Sequence, residues 1–274
     1  MNNTGFSDSD YTPFLTYQYT RAIVRSPGPE IVRALSERGT AAGIHPDIAT
    51  VQHEAYIATL VSLGVDVHVL PSDPDHPDGV FVEDTAVVLP GAVVITRPGA
   101  LPRRGETKSV TRAFQKLAPE LEIIPMPDGS ETVDGGDILR LGDCYYIGLS
   151  DRTNREGGEW LAARAEERGC RARFIPVSGS LHLTTVVTPL SPDTLIGTEE
   201  ILSQFSGDSA RMIAVPPNES AAGNVLVVNG TVIVPAGCAE TVATLHRAGF
   251  KTAIVDVSQY AQADGALTCL SILW

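Results

Sequence analysis

Short apolar runs occur along the chain in pairs, and each pair is followed by an amphipathic stretch and then by a third apolar run. The clearest copy has a hairpin of Asp137–Leu141 and Cys144–Leu149, joined by a Gly-Asp turn. The periodicity then predicts a helix over Asn154–Arg168, which ends at Gly169, and a closing strand at 172–177. This copy therefore predicts a ββαβ unit.

The same order of elements recurs, so that the chain contains five related units. The second unit has strands at 85–89 and 93–96, a helix at 107–118 and a strand at 122–125. The fourth unit has strands at 184–188 and 194–197, a helix near 199 and a strand at 211–216. The fifth unit has strands at 225–228 and 231–234, a helix at 239–248 and a strand at 252–257. The first has a strand at 21–25, helices near 29–38 and 46–62 and a strand at 65–69, but it lacks an opening strand.

One apolar run, Leu267–Leu273, is left over and predicts a strand without a unit. If this strand pairs with the incomplete first unit, a ring of five units closes and no sheet edge stays free. From the pattern alone, a five-unit α/β propeller and an ordinary α/β sandwich both remain open.

Length and composition favour one folded unit. A chain of 274 residues with 43% hydrophobic content can bury a full core. No low-complexity stretch or charge run interrupts the repeat, so we expect a single domain over residues 1–274, with residues 1–20 as an N-terminal extension that is poorly defined.

The charge balance excludes several partners. Lys and Arg number 20 against 33 Asp and Glu, and the net charge of −13 repels nucleic acid phosphates and anionic membranes. The N-terminus is polar and acidic, and no later segment is apolar enough to span a bilayer. We expect a cytoplasmic protein that binds neither nucleic acid nor membrane.

Four cysteines lie far apart without a Cys-x-x-Cys pair, which indicates neither a zinc site nor a disulfide framework. Cys144, Cys170 and Cys238 are interpreted as small buried hydrophobic residues. Cys269 differs, because it follows an Asp-Gly turn inside the predicted C-terminal strand. A thiol there is a candidate nucleophile, provided that other segments supply a base and a substrate clamp.

Other segments do offer such groups. His182 is a candidate base and Asp134 a candidate orienting carboxylate, while Asp78, Glu83 and Asp84 form an anionic group that suits a cation. Taken alone, Asp134 could equally be a turn carboxylate and His182 an ordinary core histidine. The sequence has no His-Glu-x-x-His spacing, no phosphate loop and no dinucleotide fingerprint, so we expect no metal and no cofactor.

The order and spacing of these segments resemble the dimethylarginine dimethylaminohydrolases of the guanidine-modifying superfamily, from about Arg21 to the end of the chain. The motifs that carry the resemblance are Val80-Phe-Val-Glu-Asp-Thr-Ala-Val-Val, Ile95-Thr-Arg-Pro-Gly-Ala, Arg103-Arg104, Asp134-Gly-Gly-Asp-Ile-Leu, Tyr146-Ile-Gly-Leu-Ser-Asp-Arg-Thr-Asn, Leu181-His-Leu and Asp264-Gly-Ala-Leu-Thr-Cys. The resemblance implies a five-bladed α/β propeller. It also implies hydrolysis of Nω-methylated arginine to citrulline through a covalent thiouronium on the cysteine, without a cofactor.

The resemblance further assigns a role to each candidate residue. Cys269 would attack the guanidinium carbon, and His182, oriented by Asp134, would protonate the leaving amine and then activate water. Asp84 and Asp134 would hold the guanidinium with support from Glu83. The substrate-binding set is completed by Asp78 for the α-ammonium, by Arg103 and Arg152 for the α-carboxylate, and by Ala263 and Asp264 beside the nucleophile. The resemblance leaves a homodimer open.

The sequence departs from the family pattern at three places, and three other protein classes remain as alternatives to a dimethylarginine dimethylaminohydrolase. Thr184 stands where dimethylarginine enzymes are expected to have lysine, Asp134 stands where some bacterial relatives have glutamate, and the segment Tyr11–Thr20, where a substrate-covering flap would lie, matches no motif. The alternatives are an arginine deiminase, an amidinotransferase and a non-catalytic ribosome-binding factor of the same fold. The net charge and the complete set of nucleophile, base and acid disfavour the last.

Overall fold

A computed structural model describes residues 17–37, 39–205, 207 and 210–274. Its strands form five sheets of three strands each, as the repeat predicts. Most of the expected flap segment lies outside the described residues.

The strands and helices follow the predicted units closely. The strands are β1 (Arg21–Arg25), β2 (Asp66–Leu70), β3 (Ala86–Leu89), β4 (Ala92–Ile95), β5 (Glu122–Pro125), β6 (Ile138–Leu141), β7 (Cys144–Leu149), β8 (Arg171–Pro176), β9 (Val187–Ser191), β10 (Thr194–Gly197), β11 (Arg211–Ala214), β12 (Leu226–Val228), β13 (Thr231–Pro235), β14 (Lys251–Val255) and β15 (Ile272–Leu273). The α-helices are α1 (Pro46–Ser62), α2 (Thr107–Leu117), α3 (Arg155–Glu166), α4 (Glu199–Leu202), α5 (Ala239–Arg247) and α6 (Ser258–Ala261).

Local sequence explains where these elements begin and turn. Helix α3 begins after Asn154, whose side-chain oxygen accepts a hydrogen bond from the Gly157 N–H at 2.8 Å. The hairpin of β12 and β13 turns at Asn229 and Gly230, which both have positive φ angles (48° and 82°), as a tight hairpin turn requires. Of the segment near 29–38, predicted as a helix, the described residues form only a short 3₁₀ turn at Pro29–Arg33.

Every sheet has the same internal pattern. The middle strand pairs antiparallel with the first strand of its unit and parallel with the strand that follows the helix. In the first unit the missing strand is β15, which pairs antiparallel with β1 through Ala22 with Leu273 and Ile23 with Ile272. The predicted closure by the C-terminal strand is confirmed, and the fold is the five-module α/β propeller.

The first strands of neighbouring units contact one another, with β15 beside β3, β6 beside β9, and β9 beside β12. They therefore face a common central axis, and apolar clusters fill the spaces around the sheets. Within the described residues, no helix is long and apolar enough to cross a bilayer.

The predicted C-terminal strand Leu267–Leu273 is too long. Only Ile272–Leu273 form a strand, and Cys269 lies in the 3₁₀ turn Thr268–Leu270 that precedes it. The reason is that the Thr268 N–H and hydroxyl bond to side chains of other units rather than to a neighbouring strand. The nucleophile candidate is thus held in a turn, at the edge of the sheet and not within it.

Candidate active site

Turns that precede the first strands bring the candidate residues together. Glu83 and Asp84 lie in the 3₁₀ turn before β3, Asp134 lies directly before the turn that leads to β6, and Cys269 lies in the turn before β15. His182 lies a few residues before β9. Because the first strands face one axis, residues distant in sequence converge at one end of it, as the repeat predicts.

The nucleophile segment is fixed by its backbone and by neighbouring units. Asp264 has a φ angle of 57°, and a Cβ at Gly265 would come 2.2 Å from the Phe81 ring, so only glycine fits there. Further along, Asn224 accepts a hydrogen bond from the Thr268 N–H at 3.1 Å and donates one to the Thr268 hydroxyl at 2.9 Å. Cys269 is thereby held buried, with 7% of its surface exposed.

His182 and Asp134 form a buried pair. The imidazole Nε2 lies 3.0 Å from Asp134 Oδ2, while Asp134 Oδ1 accepts a hydrogen bond from the Gly99 N–H at 2.8 Å. Burial alone would lower the pKa of His182, but the carboxylates of Asp84, Asp134 and Asp137 outweigh it and raise that pKa to about 9. The imidazole is therefore charged at neutral pH and can act as a proton donor.

Asp84 lies beside this pair and is tied to a buried arginine. One oxygen accepts a hydrogen bond from the Gly136 N–H at 3.0 Å and lies 3.8 Å from His182 Nε2, while the other forms an ion pair with Arg103 Nη1 at 2.5 Å. Burial opposes ionisation of Asp84, yet the charges of His182 and Arg103 bring its pKa below the usual range. Asp84 is therefore a carboxylate at neutral pH.

Arg103 is bound more tightly within the protein than the sequence predicts. Glu106 accepts hydrogen bonds from Nε at 3.0 Å and from Nη2 at 2.8 Å, and the Phe81 carbonyl accepts a further bond from Nη2 at 2.9 Å. Although burial lowers the pKa of Arg103, Glu106 and Asp84 raise it well above its usual value. A small part of the Arg103 side chain is exposed in the cavity beside Cys269 and His182, while most of its N–H groups donate hydrogen bonds to the protein itself.

The remaining substrate-binding candidates line the same cavity. Asp78, Arg152, Ala263 and Asp264 all contribute to its walls, together with Leu35. The Leu35 N–H donates to Asp78 Oδ1 at 3.0 Å. Burial raises the pKa of Asp78, and the charges of Arg103 and Arg152 oppose that rise. The cavity thus carries both signs of charge.

Glu83 points the other way from Asp84. Its Oε2 accepts a hydrogen bond from the Thr268 hydroxyl at 2.9 Å, so its carboxyl lies beside the turn that carries Cys269. Burial, followed by the charge of Asp84, raises the pKa of Glu83 to about 7. Burial, followed by the charges of Glu83 and Asp84, raises the pKa of the Cys269 thiol well above its usual value.

The site suits an organic cation better than a metal. Atoms of Asp84, Asp134 and His182 converge within 4.8 Å, as they would around a positive charge. However, the His182 imidazole is charged at neutral pH, and only a neutral imidazole binds a metal. A planar guanidinium, which donates hydrogen bonds to carboxylates, fits this arrangement, and we assign none of these residues to a metal.

The structure brings all ten candidate site residues to one place. Eight line the cavity, Asp134 bonds to His182 of that cavity, and Glu83 bonds to Thr268, the neighbour of Cys269. The sequence interpretation missed Glu106, Asn224 and Asp137. Asn224 stands before β12, the position that holds the reactive residues in the other units, so the repeat itself could have indicated it. Asp137 accepts hydrogen bonds from the Leu183 N–H at 3.1 Å and the Ser150 hydroxyl at 2.6 Å, and burial raises its pKa to about 6.

Comparison with known proteins agrees with this geometry. Residues 33–226 match the family model for eukaryotic N,N dimethylarginine dimethylhydrolase. The N(G),N(G)-dimethylarginine dimethylaminohydrolase of Pseudomonas aeruginosa is 36% identical over 257 residues, which cover 93% of this chain and 99% of the relative. A second such enzyme, from Streptomyces coelicolor, is 36% identical over 92% of this chain and 96% of its own length.

A solved structure extends the similarity to three dimensions. The Pseudomonas aeruginosa enzyme, as a cysteine-to-serine mutant complexed with citrulline, superposes with a TM-score of 0.88 at 34% identity and covers 94% of this chain and 100% of its own. The matches in sequence and structure span nearly the whole of each protein. The chain belongs to the dimethylarginine dimethylaminohydrolase family.

Proposed function

We propose that the protein hydrolyses Nω-methylated arginine, both asymmetric dimethylarginine and monomethylarginine, to citrulline and dimethylamine or methylamine. The observation that carries this proposal is the convergence of a buried thiol, a charged imidazole and a carboxylate pair at one end of a cavity. The same cavity is lined by Asp78 and Arg152, which match the α-ammonium and α-carboxylate of an amino acid.

The first half-reaction breaks the bond to the methylated nitrogen. Asp84 and Asp134 hold the guanidinium, so that its central carbon lies against Cys269. The thiolate forms a bond to that carbon, and the electrons of the C=N bond move to nitrogen. His182 then gives its proton to the methylated nitrogen, which departs as the free amine and leaves a thiouronium on Cys269.

The second half-reaction returns the enzyme to its starting state. His182, now neutral, takes a proton from water as the water oxygen bonds to the thiouronium carbon. The C–S bond then breaks as the remaining hydroxyl proton passes to solvent, where the released amine takes it up as an ammonium ion. Citrulline is released, and the thiolate of Cys269 regains its proton. One imidazole thus serves both halves, because its neighbouring carboxylates make it a proton donor at neutral pH and its loss of a proton makes it a base.

Several features support this assignment over a deiminase or amidinotransferase. Relatives that match over nearly the whole chain are named as dimethylarginine dimethylaminohydrolases, and a solved relative is an adduct with S-methyl-L-thiocitrulline in a histidine-to-glycine variant. That variant superposes with a TM-score of 0.85 at 34% identity. A cytoplasmic location, a single domain and a homodimer stay predictions from the sequence.

A citrulline assay on four substrates in parallel tests the proposal. We expect turnover of asymmetric dimethylarginine and monomethylarginine, with weak turnover of arginine. Agmatine lacks the carboxylate that Arg152 would bind, so it should be a poor substrate. Preference for arginine with release of ammonia would instead identify a deiminase, and efficient turnover of agmatine would refute the carboxylate clamp.

A further inference from the structure

Glu83 is a buried carboxyl that takes no part in the two proposed half-reactions. It lies between two cavities: the active-site cavity, which Cys269 lines, and a central channel of about 180 Å³ on the propeller axis, which Glu83 itself lines. Thr268, the neighbour of Cys269, donates a hydrogen bond to Glu83 and also faces the channel. The carboxyl therefore meets the turn of the nucleophile from the side of the channel, whereas Cys269 itself lines the active-site cavity.

The mechanism leaves one proton without a destination. Cys269 is a neutral thiol in the free protein, because burial and the carboxylates around it oppose the thiolate. A cationic substrate held at Asp84 and Asp134 favours the thiolate, so the proton on sulfur has to move when the substrate binds. An acceptor has to touch the sulfur and be able to take a proton at neutral pH.

Two other titratable groups of the site, His182 and Asp84, do not meet both conditions. His182 Nε2 is bonded to Asp134, and with a pKa of about 9 the imidazole is already protonated. Asp84 bonds to Arg103 and to the Gly136 N–H, and its pKa is lowered, so it is a weak proton acceptor. Glu83 is bonded to Thr268, the neighbour of Cys269, and lies beside the thiol, and its pKa of about 7 allows it to accept or release a proton.

We propose that Glu83 is the catalytic proton acceptor for Cys269, given the proposed thiol chemistry. When the guanidinium binds, the S–H bond breaks and the proton moves to a Glu83 oxygen, which leaves a thiolate and a neutral carboxylic acid. Glu83 holds this proton through the covalent stage. When the C–S bond breaks, the proton returns to sulfur, so that the pair ends as it began and the reaction consumes only substrate and water.

The surroundings of Glu83 suit this role. Its hydrogen bond from Thr268 stabilises the carboxylate in the free protein, while burial stabilises the neutral acid in the loaded one. The titratable groups that face it are Asp84, His182, Cys269 and Tyr56. Asp84 and His182 carry opposite charges, and Tyr56 stays neutral because burial raises its pKa beyond the working range. Cys269 is thus the partner with which Glu83 exchanges a proton.

The variant Glu83→Gln separates this role from a purely electrostatic one. Loss of the negative charge by itself favours the thiolate, so an electrostatic role predicts turnover equal to or above that of the native protein. Loss of a proton acceptor predicts that kcat falls by at least about 100-fold, since general base catalysis contributes about 10²–10⁴-fold. Below the thiol pKa, the remaining rate should rise with hydroxide concentration, about tenfold per pH unit.

Two further variants serve as controls for loss of a buried carboxylate and for misfolding of Glu83→Gln. Glu219→Gln removes a buried carboxylate that caps helix α5 outside the site, and it should leave kcat unchanged. If Glu83→Gln does not bind citrulline as the native protein does, the turnover of Glu83→Ala is measured instead, with and without added formate. The channel has room for formate beside position 83, so formate should restore at least tenfold of the lost rate while acetamide should not.

Alkylation of Cys269 by iodoacetamide tests the proton acceptor without any substrate. At neutral pH the native protein should react faster than Glu83→Gln, because Glu83 removes the thiol proton as sulfur attacks. If the native protein forms no citrulline but this difference persists, the proposed substrate is wrong and the proton acceptor stands. If Glu83→Gln turns over dimethylarginine at the native rate with the native pH profile, the proton acceptor is refuted and the proposed function stands.

Discussion

At the scale of single residues, the site depends on charges that are buried together and balance one another. His182, Asp134, Asp84, Arg103 and Glu106 form one bonded chain inside the protein. Each charge is stabilised by its neighbours rather than by water, so the removal of one member leaves another buried without a partner. Two predictions at this scale follow from the different surroundings of these residues.

The first prediction concerns pH and His182. Its pKa is raised from 6.5 to about 9 in the folded protein, so its stabilising effect is fully present below about pH 6.5 and is lost as the pH rises through about 9. We expect the free energy of unfolding to fall by on the order of 2 kcal/mol between pH 7 and pH 10. Urea denaturation at both pH values measures this fall, and His182→Asn should lack most of it. An equal fall in both proteins would contradict the assignment.

The second prediction separates Arg103 from Arg152. Arg152→Ala should mainly raise KM for dimethylarginine, by about 10- to 100-fold, with little loss of stability, because Arg152 is half-buried and faces the cavity. Arg103→Ala should cost about 3–5 kcal/mol of stability as well, since it leaves Asp84 and Glu106 buried without their cation. Steady-state kinetics and urea denaturation measure the two effects. Equal stability of both variants would show that Arg103 is not a structural cation.

At the scale of elements, turns rather than strands or helices hold the reactive groups. The hydrophobic pattern predicts strands and helices well, because alternation and helical periodicity record which face is buried. It does not predict the 3₁₀ turn at Cys269, whose bonds go to Asn224 and Glu83 in other units. Such long-range polar contacts leave no periodic trace in the sequence. Glu106 was missed because its role depends on the burial of its partner Arg103, which the hydrophobic pattern does not record.

The third prediction tests the turn that carries the nucleophile. Asn224 makes three side-chain hydrogen bonds, one to the Thr184 carbonyl and two to Thr268. Asn224→Ala should therefore lower both stability, by about 1–3 kcal/mol, and kcat, because Cys269 loses its fixed position. Asn229 also makes three such bonds, but away from the site, so Asn229→Ala should lower stability alone. Thermal denaturation and citrulline assays of both variants decide, and an unaffected kcat in Asn224→Ala would contradict the account.

At the scale of the whole molecule, closure of the ring connects the two ends of the described chain. The repeat predicts this closure, because one unit lacks a strand and one strand lacks a unit. The family resemblance then decided between a propeller and a sandwich, which the pattern alone left open. The convergence of the site residues follows from that closure, whereas the burial of Arg103 depends on side-chain packing that only the structure reveals.

The fourth prediction tests the closure. Deletion of Ile272–Trp274 removes β15 together with the hydrogen bonds between Trp274 and Arg21 and the packing of the Trp274 ring on Phe114, 5.0 Å away. We expect a loss of at least about 3 kcal/mol and no citrulline formation, since Cys269 loses its anchor. Trp274→Phe keeps the backbone pairing and should retain most activity. Native stability and turnover in the truncated protein would show that closure is dispensable.

The central claim is that Cys269 forms a covalent thiouronium from methylated arginine, and rapid-quench mass spectrometry tests it most directly. The protein is mixed with asymmetric dimethylarginine, quenched in acid and digested, and the Cys269 peptide is weighed. We predict an added mass equal to the substrate minus dimethylamine, higher occupancy in His182→Asn, and neither adduct nor citrulline in Cys269→Ser. Citrulline formation by Cys269→Ser, or turnover by the native protein with the adduct on another residue, would contradict the account.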